Sequence, residues 1–124
     1  MTQPRRFAFR YGIWRPLLSV LGLGPKFSDI AVTPDEVRVR MGWGFRARIP
    51  RSSIRSAAPD EDMWGSVGVH GWRGRWLLNG SVHGIVTIRI DPDARARTMG
   101  IPVRLHTLHV SVVEPDLLSI FLSS

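Results

Sequence analysis

Asp35-Glu36-Val37-Arg38-Val39-Arg40-Met41-Gly42-Trp43-Gly44-Phe45-Arg46-Ala47-Arg48-Ile49-Pro50 consists of two alternating runs about a glycine-rich centre. Val37, Val39 and Met41 alternate with Arg38 and Arg40; Phe45, Ala47 and Ile49 alternate with Arg46 and Arg48. Such period-two alternation marks half-buried strands. A three-residue loop at 42–44 sets Met41 opposite Phe45, Val39 opposite Ala47 and Val37 opposite Ile49. Every apolar side chain of the pair then shares one face, and the four arginines share the other. A two-residue loop would mix the faces, so the pattern itself selects the register. Gly44 is the expected left-handed position of the loop.

The rest of the chain reads outward from this hairpin. Thr33-Pro34-Asp35-Glu36 is a turn leading in from a strand at about 28–32. Residues 52–57 form another short strand, followed by the acidic loop Pro59-Asp60-Glu61-Asp62. Residues 75–78, the turn Asn79-Gly80 and residues 84–90 read as strand, turn and strand, with Asp91-Pro92-Asp93 expected to stop the second. A last strand is expected at 103–113, then a helix at 115–122 with Pro115 in its first turn and Glu114 and Asp116 at its positive end. Phe7, Phe9 and Tyr11 alternate as a first strand would. Ile13, Trp14, Leu17, Leu18 and Leu21 recur at helical spacing, so 13–23 is either a short helix or a buried loop.

The 124 residues suit one domain, 1–124, with an N-terminal arm at 1–27 and a core at 28–122. Cysteine is absent, which excludes disulfides, thiol nucleophiles and Cys-ligated metal sites. The apolar run at 16–23 is far shorter than the roughly 20 residues a spanning helix needs, and no small-residue cleavage site follows it. The expected location is cytoplasmic. Lys+Arg is 17 against Asp+Glu 10, a net +7, and Lys26 is the sole lysine. The charge is uneven: residues 34–56 hold six arginines against Asp35 and Glu36, whereas Asp60, Glu61 and Asp62 make 57–72 acidic.

The short strands closed by one helix, together with Val32-Thr33-Pro34-Asp35-Glu36-Val37-Arg38-Val39, Ile49-Pro50-Arg51-Ser52-Ser53-Ile54 and Val110-Ser111-Val112-Val113-Glu114-Pro115-Asp116-Leu117, resemble the pleckstrin-homology-like (PH-like) domains of small actinobacterial proteins. The resemblance covers about 28–122. It implies a mainly β fold: a PH-like antiparallel barrel or sandwich of about seven strands with a C-terminal capping helix. It implies no catalytic residues and leaves the ligand open.

Three segments could carry function. Arg38, Arg40, Arg46 and Arg48 would lie as directly opposed like charges, which is mildly destabilising. They form either a solvated face partly neutralised by Asp60, Glu61 and Asp62, or an anion platform suited to bidentate phosphate contact. The stretch 65–81 concentrates glycine with His70, Trp72, Arg73, Arg75 and Trp76. It is either a ligand loop or a long connection whose tryptophans plug one end of a barrel; its glycine spacing is neither a P-loop nor a dinucleotide fingerprint. Arg5, Arg6, Arg10 and Arg15 lie among aromatics, as in an interfacial membrane anchor or a solvated first strand. His70, His83, His106 and His109 have no chelating spacing; on a strand His106 and His109 point to opposite faces. No metal, cofactor or catalytic residue is expected.

The leading expectation is a non-enzymatic binding or adaptor domain that recognises an anionic ligand, a lipid headgroup or a protein partner, with peripheral membrane contact. A small basic barrel that binds single-stranded nucleic acid through Trp72 or Trp76 ranks behind it. A flavin or deazaflavin split-barrel oxidoreductase is a further alternative with no motif in its favour. Exposure of Trp43 at a hairpin tip, and of Trp64, would point to a homodimer or another partner contact.

Overall fold

The computed structural model describes residues 5–9, 28–60, 68–72, 74–79 and 84–123. Tyr11, the helical spacing at 13–23, Trp64 and His83 lie outside them. The elements are β1 (Arg5–Phe7), β2 (Ser28–Val32), β3 (Glu36–Met41), β4 (Phe45–Pro50), a 3-10 turn (Arg51–Ser53), β5 (Ile54–Asp60), β6 (Gly68–Trp72), β7 (Arg75–Asn79), β8 (Ile85–Thr98), β9 (Ile101–Ser111) and a helix, α1 (Pro115–Ser123).

The β3–β4 hairpin has the register its alternation demands: Met41 opposes Phe45, Val39 opposes Ala47 and Val37 opposes Ile49. All six apolar side chains are buried. The loop differs in one respect. Its left-handed residue is Gly42, φ 55°, rather than Gly44: the Gly44 N–H closes a turn on the Met41 carbonyl, and positive φ at the first inner position of that turn matches the twist of the two strands. On the other flank, Thr33 organises the turn into β3: its Oγ1 accepts from the Glu36 N–H at 3.1 Å, and its N–H donates to the Glu36 carbonyl at 2.9 Å.

All nine strands belong to one sheet, in the order β1-β2-β3-β4-β8-β9-β7-β6, with β5 also on β8. Strand β8 organises it. Its first half pairs with β5 and its second half with β4, and the 3-10 turn lies between those two partners. Asp91-Pro92-Asp93 does not stop this strand, contrary to expectation. The ladder with β9 shifts register between Arg89 and Ala94 and then resumes, since a proline without an N–H is tolerated at a bulge. The sheet bends there, and its two halves share a single core.

Residues 75–79 and 85–98 are strands, as read, but they do not pair with each other: β7 pairs antiparallel with β6 and parallel with β9. Two further expectations are corrected. The segment 65–81 is therefore not a long connection but contains a tight two-stranded ribbon. The sheet is not an all-antiparallel barrel of about seven strands either. It curls until Phe9 makes a lone bridge with Val112, but among the described residues its edge strands β1 and β6 do not pair and the sheet is not closed into a barrel. The C-terminal helix is where it was expected. It buries Leu118 and Leu122, and its Phe121 ring meets Phe7 edge-on at 5.9 Å.

Arg51 ties this helix to the corner of the sheet. Its guanidinium donates to the Phe121 carbonyl at 2.8 Å and lies 5.9 Å from the ring centroid of the same residue. A cation at the carbonyl end of a helix also meets the negative end of its dipole. Among the described residues no helix is long and apolar enough to cross a membrane.

Candidate functional site

Alternation places Arg38, Arg40, Arg46 and Arg48 on the face of the sheet opposite the core, and the pairing extends their rows. Arg38 opposes Arg48, Arg48 opposes Arg95, and Arg95 opposes Arg104. In the next row Arg40 opposes Arg46, and Arg46 opposes Arg97. At about 4.8 Å between strands, the first row runs roughly 14 Å across four strands, and the second lies about 7 Å away along them. Arg6 joins from β1, whose partner Ala31 opposes Arg38.

These side chains border one concavity of about 1020 Å³. Eight arginines line it: Arg6, Arg38, Arg40, Arg46, Arg48, Arg95, Arg97 and Arg104. Half of the protein's arginines thus face one hollow. Among the described residues two carboxylates answer them. Asp29 pairs with Arg6 and lies 3.7 Å from Arg40; Glu36 is 2.8 Å from Arg38 and 3.9 Å from Arg48. Among the described residues no carboxylate reaches Arg46, Arg95, Arg97 or Arg104. Among the described residues the neutralising acids are Asp29 and Glu36, on β2 and β3; the side chain of Asp60 is not among them. Glu61 and Asp62 lie outside the described residues.

The sequence reading did not include Arg95, Arg97 or Arg104 among the candidates, and it grouped Arg6 with the N-terminal arginines rather than with this face. The signal was present in Ala94-Arg95-Ala96-Arg97-Thr98, which alternates as residues 45–49 do, with Ala94, Ala96 and Thr98 buried. Ending the strand at Asp91-Pro92-Asp93 hid it.

Of the second group of expected ligand residues, Arg75 and Trp76 do not join this face. Trp76 on β7 is half-buried, 5.5 Å from Phe45 and tilted 48° to it. A Cβ on Gly71 would sit 2.1 Å from its ring, so the glycine is what lets β6 pass over the indole. Trp76 is therefore a packing residue at one end of the core. Arg75 turns the other way and donates from Nε to the Nε2 of His109 at 2.9 Å. His109 is buried, and its Nδ1 bonds the Thr87 hydroxyl at 2.8 Å. With Nε2 accepting, the neutral ring carries its proton on Nδ1. His106, three residues away, is exposed on the opposite face, as strand geometry requires. Trp72 and His70 lie on β6, but their side chains, and Arg73 altogether, fall outside the described residues. Among those residues no three His, Cys, Asp or Glu side chains gather where a metal ion could be held.

No protein-family model, no curated protein and no solved structure matches the chain.

Proposed function

We propose that the protein is a non-enzymatic binding module whose arginine face recognises a polyanionic partner rich in phosphate groups. The observation that carries this reading is the two-row array of guanidinium groups around one concavity, only partly answered by Asp29 and Glu36. Folding gains nothing from opposing arginines across four adjacent strands; each like-charge pair costs a fraction of a kcal/mol. An anionic partner converts that repulsion into charge-assisted, bidentate hydrogen bonds. Arginine's planar fork suits phosphate better than a lysine ammonium would.

A meander of β1 to β4 in a mainly β sheet, with a C-terminal helix, supports reading this module as a PH-like binding domain. The parallel β7–β9 pair is a departure from that pattern. The test is titration with soluble inorganic polyphosphate, with neutral dextran as control. Polyphosphate should bind, and the Arg46→Glu/Arg97→Glu double variant should lose at least tenfold in affinity while keeping its fold. Equal binding by wild type and variant would overturn the proposal.

A further inference from the structure

The arginine face ends at two hairpin tips that lie side by side. The Met99 N–H donates to the Gly44 carbonyl at 3.2 Å, and the Thr98 hydroxyl donates to the same oxygen at 2.9 Å. This locks the β8–β9 turn against the β3–β4 turn. Three of the protein's exposed large apolar side chains are at this end: Trp43 at 56%, Met99 at 60% and Ile101 at 61% exposure. Met99 is an odd choice twice over. It sits at φ 49°, where glycine or asparagine is preferred, and it holds an apolar side chain in water. Neither the turn nor the core accounts for it.

Distance connects this patch to the charge. The nearer arginine row, Arg40, Arg46 and Arg97, lies about two residues from the tips, or roughly 7 Å along the strands. Apolar groups of interfacial proteins sink about 5–10 Å into the headgroup–acyl boundary. With the tips at that depth, the row stands at the level of the lipid phosphates. Tryptophan is also the residue that favours the headgroup level.

We infer that the paired tips and the adjoining arginine rows form one docking surface for an anionic bilayer, with Trp43, Met99 and Ile101 entering the interface and Arg40, Arg46 and Arg97 binding lipid phosphates. This rests on the polyanion reading above and names its partner. A second copy of the chain fits the patch less well. Three side chains fall short of the about 800 Å² per partner that a stable dimer buries, and a two-fold contact there would bring two arginine faces together. Nucleic acid fits less well too, because among the described residues no aromatic side chain lines the concavity for bases to stack on.

The experiment is partition onto sedimented vesicles, either pure phosphatidylcholine or with 30 mol% phosphatidylserine as an order-of-magnitude physiological content, run beside the polyphosphate titration and light scattering. Wild type should partition onto the anionic vesicles alone. Trp43→Ser/Met99→Ser/Ile101→Ser should lower that partition about tenfold and leave polyphosphate affinity unchanged. Met99→Asn, which suits positive φ, should fold at least as stably as wild type and still partition more weakly. Arg46→Glu/Arg97→Glu should lose both. Polyphosphate binding without vesicle binding would overturn the membrane inference and leave the binding module standing; loss of neither ligand in the arginine variant would overturn both. Vesicle binding indifferent to the tip variants, a dimer that the tip variants dissociate, or a preference for single-stranded DNA over vesicles would each overturn the inference.

Discussion

At the scale of single residues, Arg46 shows the tension between stability and function. Its cross-strand neighbours are Arg40 and Arg97, and no carboxylate reaches it among the described residues. Arg46→Glu turns two like-charge contacts into two opposite-charge ones. We predict a gain of about 0.5–1 kcal/mol in urea denaturation, together with weaker polyphosphate binding. A substitution that stabilises the fold while weakening the ligand is what a functional, electrostatically frustrated site gives; a merely solvated face would show the first effect alone. Gly71 supplies a structural contrast. With a Cβ 2.1 Å from the Trp76 ring, Gly71→Ala forces β6 away from the indole. It should cost roughly 1–3 kcal/mol by overpacking, read as a lower urea midpoint, with polyphosphate affinity unchanged because Trp76 is not on the arginine face.

At the scale of elements, the register of the β3–β4 hairpin was legible in the sequence, though not which glycine of its loop is left-handed, because every second residue from Val37 to Ile49 declares its face and only one loop length reconciles the two runs. The long strand β8 was not. Its proline and two aspartates resemble a strand terminus, and only the presence of β4, the 3-10 turn and β5 along its edge shows that the chain bulges there and continues. That one feature hid Arg95 and Arg97, the two arginines that link the hairpin rows to β9. The β6–β7 ribbon was obscured for a different reason. Its parallel pairing to β9 is a long-range choice that no local pattern encodes. The corner itself is pinned by Arg51, whose guanidinium holds the last turn of α1. Arg51→Ala should cost about 1–2 kcal/mol, mainly from the lost charge-assisted bond to the Phe121 carbonyl, and Arg51→Lys should recover only part of it, since an ammonium can bond the carbonyl but cannot stack flat on the ring. Chemical denaturation of the two variants checks the order.

At the scale of the whole molecule, net charge alone said little about where a partner would dock. Residues far apart in sequence, Arg6, the 38–48 hairpin, Arg95, Arg97 and Arg104, meet because β8 carries its second half between β4 and β9. The bent sheet buries one face in a common core and gathers half of the arginines on the other. The consequence is a localised field, and binding dominated by such a field weakens steeply with salt as counterions are released. The most direct measurement is the salt dependence of polyphosphate affinity for wild type and for Arg46→Glu/Arg97→Glu. The account predicts a steep linear fall of log affinity with log salt concentration for the wild type, and a slope shallower by about two in the double variant. A wild-type protein that does not bind at low salt, or a folded double variant with an unchanged slope, would contradict it.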